Sequence, residues 1–240
     1  VLEALALPYT TVATRHVPGL ELRHDQLLVI NCPGQIPSSG VATVRRFVER
    51  GGSLFTTDWA LKHVVEPAFP GLVEFNQRPT TDTVVRVEIA DHDNPFLQGV
   101  MDEDDDPVWW LEGSSYPITV RDADRVRVLI RSRELGEQWG EEAVAVTFPH
   151  GEGEVFHMIS HYYLQRTETR SDRHRSPASA YAAAKGVDLD EVAGDAADLN
   201  LSEVESAASS ARMMANLVAE KKKRAAAARR AAKAGKKGGK

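Results

Sequence analysis

The sequence predicts an α/β fold: a largely parallel central sheet, an antiparallel extension and a long C-terminal helix. Three observations carry this. Residues 27–61 read as strand, loop, helix, glycine turn and strand. Short strands at 83–90, 108–111, 118–120, 125–132, 143–148 and 155–160 follow without helices long enough for crossovers, so they pair antiparallel. Residues 201–232 then keep one apolar helical face through Val204, Ala207, Ala208, Ala211, Met214, Leu217 and Val218.

Along the chain, residues 1–7 read as the last two turns of a helix stopped by Pro8. Tyr9–Val17 reads as a Thr- and Val-rich strand ending at Pro18–Gly19. A doubly wound sheet usually places a strand before its first helix, so the leading strand is expected to be missing from this sequence. Leu27–Asn31 is a continuous apolar run, as in a strand buried on both faces. Val41, Val44, Phe47 and Val48 share one face of a helix over Ser38–Arg50. Ser38 or Ser39 should cap it, and Gly51–Gly52 should end it in a left-handed turn. Ser53–Thr57 is the next strand, followed by a short helix from Trp59 to Val65 that Pro67 stops. Thr83–Ala90 alternates as one half-exposed strand. Residues 91–106 form an acidic loop, and the Gly151–Gly153 turn joins two strands into a hairpin. Thr167–Ser179 is polar and Arg-rich, so 167–200 is expected to be a mobile loop region. Asn200 or Ser202 should cap the last helix, which is expected to fray after Glu220.

Composition narrows the function classes. At 42% hydrophobic and 27% charged residues, the 240-residue chain has the make-up of a soluble globular protein. No apolar run approaches the ~20 residues that span a bilayer, and the N-terminus has no signal-peptide pattern. A lone cysteine, Cys32, fits a reducing compartment, so the expected localisation is cytoplasmic. Residues 221–240 carry ten Lys and Arg and no acid, leaving 19 basic against 35 acidic groups before them. The organisation expected is therefore an acidic domain over 1–220 and a basic tail over 221–240. An acidic body is a poor nucleic-acid reader; only the tail could reach such a partner.

Four segments in order resemble the class I glutamine amidotransferase-like superfamily, and most closely its trehalose-utilisation-like (ThuA-like) branch. They are the strand, Pro/Gly loop, helix, Gly-Gly and strand of 27–57; Asp91-His92-Asp93-Asn94-Pro95 with Gly99; Tyr116–Pro117; and Gly151–His157 leading to His161. The resemblance covers roughly residues 1–166 and implies a flavodoxin-like α/β sandwich with its site at the strand ends. Active members of that family use a Cys on a sharp strand-to-helix turn, with a His and a Glu supplied later. Here the turn position falls at about Asp58, which cannot perform thiolate chemistry. His161 matches the family's His, and no acid partner is recognisable because Tyr162–Tyr163 follows. The resemblance thus implies a degenerate triad without glutaminase activity.

The candidate site residues follow from the strand ends, where ligands bind in open α/β sheets. Asn31, Cys32, Gly34 and Trp59 are candidate ligand-binding residues, with the loop amides offered to an anion or polar group and Trp59 to a sugar or base. Asp58 and His161 are the candidate catalytic pair. Against this, Asp58 could simply cap the following helix and Trp59 fill the core. Cys32 as a nucleophile would need a depressed pKa and His161 as base. His157 and His161, four apart on a strand, lie about 13 Å apart, too far for one metal. His150 belongs to the turn and no carboxylate stands at diagnostic spacing, so no metal and no cofactor are expected. Asp102–Asp106 lack the glycine and terminal glutamate of a calcium loop; Trp109–Trp110 anchor that loop.

Two function classes result. One is a catalytically degenerate domain binding a small polar ligand, carbohydrate among the options, or a protein partner. The other is a hydrolase or isomerase acting on a carbohydrate-like or amide substrate through His161 and Asp58. They separate on whether those two side chains face one another within reach of a hydrogen bond or one bridging water. A third, weaker reading tethers the domain to nucleic acid through the tail.

Overall fold

The computed structural model describes residues 1–3, 5–101, 106–161, 172–184 and 199–237. In chain order the elements are β1 (Leu27–Ile30), α1 (Ser38–Glu49), β2 (Ser53–Thr57), α2 (Glu66–Ala68), β3 (Val73–Phe75), β4 (Thr83–Arg86), β5 (Glu88–Ile89), β6 (Val108–Leu111), β7 (Ile118–Val120), β8 (Arg127–Arg131), α3 (Arg133–Trp139), β9 (Ala143–His150), β10 (Gly153–Met158), α4 (Asp172–Arg175), α5 (Ala178–Ala184) and α6 (Leu201–Lys237). The expected fold class holds. β1, β2 and β10 run parallel, and β9 turns back as a hairpin into β10; β1 is the edge strand and mostly half-buried, not covered on both faces as its apolar run suggests. Antiparallel strands extend the sheet beyond β9: β8 and then β5 on one path, β7 and then β3 on the other. A separate antiparallel pair, β4 and β6, forms a second small sheet.

The parallel strands are held by the apolar residues at their middle. Leu54, Phe55, Val155, Phe156 and Met158 are fully buried, and Phe55 stacks on Phe156 with ring centroids 5.3 Å apart. Helix α1 buries Val44, Phe47 and Val48. It ends as its glycines predict: Gly51 has φ +100°, its N–H donates to Val48 O and the Gly52 N–H donates to Phe47 O. These are the two bonds of a Schellman motif. The β9–β10 turn nests on that corner so closely that a Cβ at Gly153 would lie 2.1 Å from Val48 O.

Several local expectations are corrected. The described residues among 1–7 form turns closed by bonds such as Leu5 N–H to Val1 O, not a helix. Tyr9–Val17 is no strand: residues 9–16 are exposed, pair with no described strand, and lead into a 3₁₀ helix over Thr14–Gly19. Its β-branched residues had propensity but no sheet neighbour to pack against. The strand over 83–90 is two strands, split at Val87, whose two halves pair with different sheets. Neither Ser38 nor Ser39 caps α1, whose N-cap position is Pro37. The helix expected after Trp59 is a π-helical turn over Leu61–Val65 running into α2. Within the polar stretch 167–200, the described residues include α4 and α5.

Helix α6 runs on to Lys237 instead of fraying at Glu220. Met213, Met214 and Leu217 bury its inner face, and the Asn216 amide donates to Phe96 O and Gln98 O. The basic residues that follow are not all solvated. Lys221 is 6% exposed and its ammonium donates to the carbonyls of His24 and Gly51, each at 2.5 Å. Arg224 pairs with Glu154 at 2.6 Å and Arg229 with Asp25 at 2.7 Å. The first turns of the basic segment thus belong to the folded body. Lys221→Ala leaves two inward carbonyls without their donor and should lower unfolding stability by about 2 kcal/mol. Arg230→Ala, at an exposed position, should change it by less than about 0.5 kcal/mol. Urea unfolding of the two variants checks this, and equal effects would refute the distinction.

Candidate functional site

The three parallel strands end on one edge, at Ile30, Thr57 and Met158. One more ladder bond follows β2, from the Asp58 N–H to Met158 O at 2.9 Å. The chain then turns sharply: Asp58 has φ +48°, and its carbonyl accepts from the Leu61 N–H at 2.8 Å. A non-glycine residue held in that left-handed region stores strain, which is most common at functional sites. The loop after β1 is tied to the same corner, since the Cys32 N–H donates to Thr57 Oγ1 at 3.1 Å. Gly34, at φ +69°, lets it come close: a Cβ there would lie 2.6 Å from Ala60 Cβ. Gly34 thus serves the approach of two backbones.

His161 follows β10 and lies half-buried on the same edge, and its Nδ1 is hydrogen-bonded to Glu112 Oε2. Glu112 stands just past β6, and its backbone is fixed on all sides. Its N–H donates to Ser160 Oγ at 3.4 Å, while its carbonyl accepts from Thr80 Oγ1 at 3.2 Å and Ser115 Oγ at 2.8 Å. Asp58 is 3% exposed, and its Oδ1 accepts from the Tyr116 N–H at 3.0 Å. One donor atom each from Cys32, Asp58 and His161 lie within 4.8 Å of one another.

Burial sets the charge states. It pushes the Asp58 carboxyl up to about 7, with the Tyr116 amide and the His161 charge pulling the other way and Glu112 adding to the rise. Burial likewise pushes the Cys32 thiol up to about 11; a backbone bond from Trp59 opposes this, and the Asp58 and Glu112 charges reinforce it. A thiol so protonated is a poor nucleophile, so the attacking role considered for Cys32 is not supported.

The other sequence candidates are placed as follows. Asn31 is exposed at the start of the Cys32 loop. Trp59 is half-buried: one face stacks on Tyr116 at 5.6 Å, Tyr116 stacks in turn on Phe75 at 3.8 Å, and the indole N–H donates to Ser114 O at 2.7 Å. Asp58 does not cap the following helix; its side chain is committed to Tyr116. His157 is buried with Nδ1 2.9 Å from Thr56 Oγ1, and burial pushes it down to about 3, so it is neutral in the core. His150 packs edge-on to Phe69 at 4.9 Å. Trp109 is buried and Trp110 donates to Asp82 Oδ1 at 2.8 Å, both within β6. Asp106 pairs with Arg86 at 2.6 Å; Asp102–Asp105, Tyr162 and Tyr163 lie outside the described residues. Sequence reasoning missed Glu112 and the Tyr116 amide. Glu112 had one available signal, a lone acid directly after an apolar strand and before a Gly–Ser turn. No described helix is long and apolar enough to cross a membrane.

No family profile and no curated protein matches the chain. Among solved structures, a cytoplasmic protein from Salmonella typhimurium is similar over 69% of this chain and 76% of its own, at 12% identity and a TM-score of 0.49. A ThuA-like protein from Bacteroides uniformis is similar over 56% of this chain and 59% of its own, at 13% identity and a TM-score of 0.41. A β-galactosidase from Bacillus circulans is similar over 56% of this chain but 20% of its own, at 13% identity and a TM-score of 0.40. At TM-scores below 0.5 these likenesses carry nothing about activity.

The raised Asp58 carboxyl has a consequence for stability. The folded state holds its proton between pH 3.8 and about 7 while the unfolded chain has lost it, so stability falls as pH rises through that window and stays reduced above it. Asp58→Asn removes the cost of burying that charge and keeps an acceptor for the Tyr116 amide. In chelator-containing buffer it should raise stability at pH 8 by up to about 4 kcal/mol and by little at pH 3.5. Denaturant melts at the two pH values measure the difference; equal gains at both would refute the assignment.

Proposed function

We propose that this chain is an amidotransferase-like α/β domain that binds a small polar ligand beyond the ends of β1, β2 and β10, and that it acts there as a hydrolase or isomerase on a carbohydrate-like or amide substrate. One observation supports the catalytic version best: His161, held through Nδ1 by Glu112, stands within one water's reach of Asp58 on its strained corner. That is the separation between a general base and its acid partner when a water or a substrate hydroxyl lies between them.

The roles follow from the bonds. Glu112 fixes the tautomer and plane of His161 and favours the imidazolium that forms when Nε2 takes a proton. Nε2 then draws that proton from a water or a substrate group. Asp58, nearly enclosed and steadied by the Tyr116 amide, exchanges the second proton with the leaving or rearranging oxygen. With a carboxylate in place of a thiol at the corner, no thioester forms, so glutaminase chemistry stays outside this reading. Trp59, with Tyr116 on one face, gives the crevice an aromatic wall suited to a sugar ring. The nucleic-acid alternative is weakened because Lys221, Arg224 and Arg229 are engaged with the body.

The test begins with a screen of the full chain against chromogenic glycosides, amides and lactones, with thermal shift by sugars, nucleotides and amino acids alongside. On any substrate turned over, Asp58→Asn and His161→Gln should each lower kcat by about 10²- to 10⁴-fold. Glu112→Gln should lower kcat by roughly tenfold or more with KM little changed. Turnover that survives both Asp58→Asn and His161→Gln would sink the catalytic reading. A ligand that shifts melting without turnover leaves only the binding domain.

A further inference from the structure

We propose that Cys32, Asp58 and His161 form a three-ligand site for a divalent ion of the zinc and cobalt kind, with the fourth coordination position left to water. As a cofactor the ion rests on the catalytic reading above; as a binding site it stands on the three donors alone.

The donors come from three strand ends and converge with one atom each within 4.8 Å. Donor atoms around a tetrahedral zinc ion are about 3.3–3.8 Å apart, given bonds of about 2.0–2.3 Å. Closing the site therefore asks for movements of about 1 Å, within reach of the two half-buried side chains, Cys32 and His161. A sulfur, an imidazole and one carboxylate form a borderline-soft set that suits zinc or cobalt and not magnesium or calcium, which take oxygen shells. Three protein ligands with an open position are the pattern of catalytic zinc, whereas structural zinc is closed by four.

The surroundings are those that metal ligands need. Glu112 holds His161 Nδ1, which directs the lone pair of Nε2 outward, the carboxylate–histidine arrangement that orients metal-bound imidazoles. Tyr116 N–H donates to Asp58 Oδ1, and the Cys32 thiol also bonds the Asp58 side chain, so two of the proposed ligands already lie against one another. The Cys32 backbone is pinned to Thr57 Oγ1. Acidic groups cluster here, with Glu112 beside Asp58 and Cys32, and no Lys or Arg is among the charges bearing most on either. A divalent cation would supply the missing countercharge. On binding, the Cys32 S–H bond is replaced by a sulfur–metal bond and the proton passes to solvent, with no change of oxidation state.

Two measurements on the full chain test the site. In the first, chelator-treated protein is titrated with cobalt(II). One equivalent should give a thiolate-to-cobalt charge-transfer band and visible bands of four-coordinate intensity, both displaced by zinc. Cys32→Ser should abolish the charge-transfer band. Asp58→Asn and His161→Gln should weaken cobalt binding at least tenfold, and Glu112→Gln by about 10- to 100-fold. In the second, which needs no variant, the single cysteine is reacted with a chromogenic disulfide with and without zinc. Zinc should slow the reaction at least tenfold. Cobalt bands that persist in Cys32→Ser, or a thiol rate that zinc leaves unchanged, overturn the site. Parental turnover in excess chelator overturns the ion as a cofactor and leaves the acid–base reading standing. Metal binding without turnover of any substrate keeps the site and removes that reading.

Discussion

The parallel ladder between β2 and β10 is the constraint on which the rest of the structure depends. It pairs Ser53–Thr57 with Glu154–Met158 and so brings two segments a hundred residues apart to a common edge. The loop-closure entropy of that pairing must be met before any contact at the edge can form. Buried aromatic area, with Phe55 on Phe156, and the docking of the β9–β10 turn onto the end of α1 offset it. The ladder also encloses polar groups: Thr56 Oγ1 pairs with His157 Nδ1 inside the sheet, and His157 remains neutral there with its Nε2 buried and without a partner among the described residues. The last ladder bond belongs to Asp58 itself, so the buried carboxyl group of the candidate site is also the end of the scaffold.

That continuity explains why the corner can be strained. A left-handed φ on a non-glycine residue costs of order 1–3 kcal/mol, and it persists only where neighbours fix both sides. Here Met158 O holds the amide, Tyr116 N–H holds the carboxylate, and the Leu61 N–H closes the turn. The corner presents a carboxyl group whose enclosure raises its pKa.

Much of this was legible in the sequence, for local reasons. The β-α-β unit announced itself through apolar strand segments and a helical stripe, and the Gly51–Gly52 turn through the residue type that most readily takes a left-handed helix end. The β9–β10 hairpin was visible because glycine interrupts two apolar runs. Asp58, His161 and Cys32 were singled out by their positions at strand ends. What sequence spacing could not show was convergence. Glu112 reaches the site from the end of the second sheet and the Tyr116 amide from the loop between β6 and β7, and the donors of Cys32, Asp58 and His161 lie far apart in the chain. The segment 9–17 misled because β-propensity acts only where a neighbouring strand exists. The basic tail misled because composition does not tell which cations have carbonyls or carboxylates waiting for them.

The joint made by Lys221 divides the last helix into two regimes of sequence tolerance. Through its first turns the positive charge is specified by place: an ammonium at the closed end of α1, a guanidinium on Glu154, another on Asp25. There an arginine in place of the lysine, or a shift of one position, would miss its acceptors despite equal charge. At Arg230 the side chain is exposed, so there a substitution is tolerated that would not be at Lys221. A helix segment that looks uniform in composition thus mixes positions fitted to the fold with positions that tolerate change.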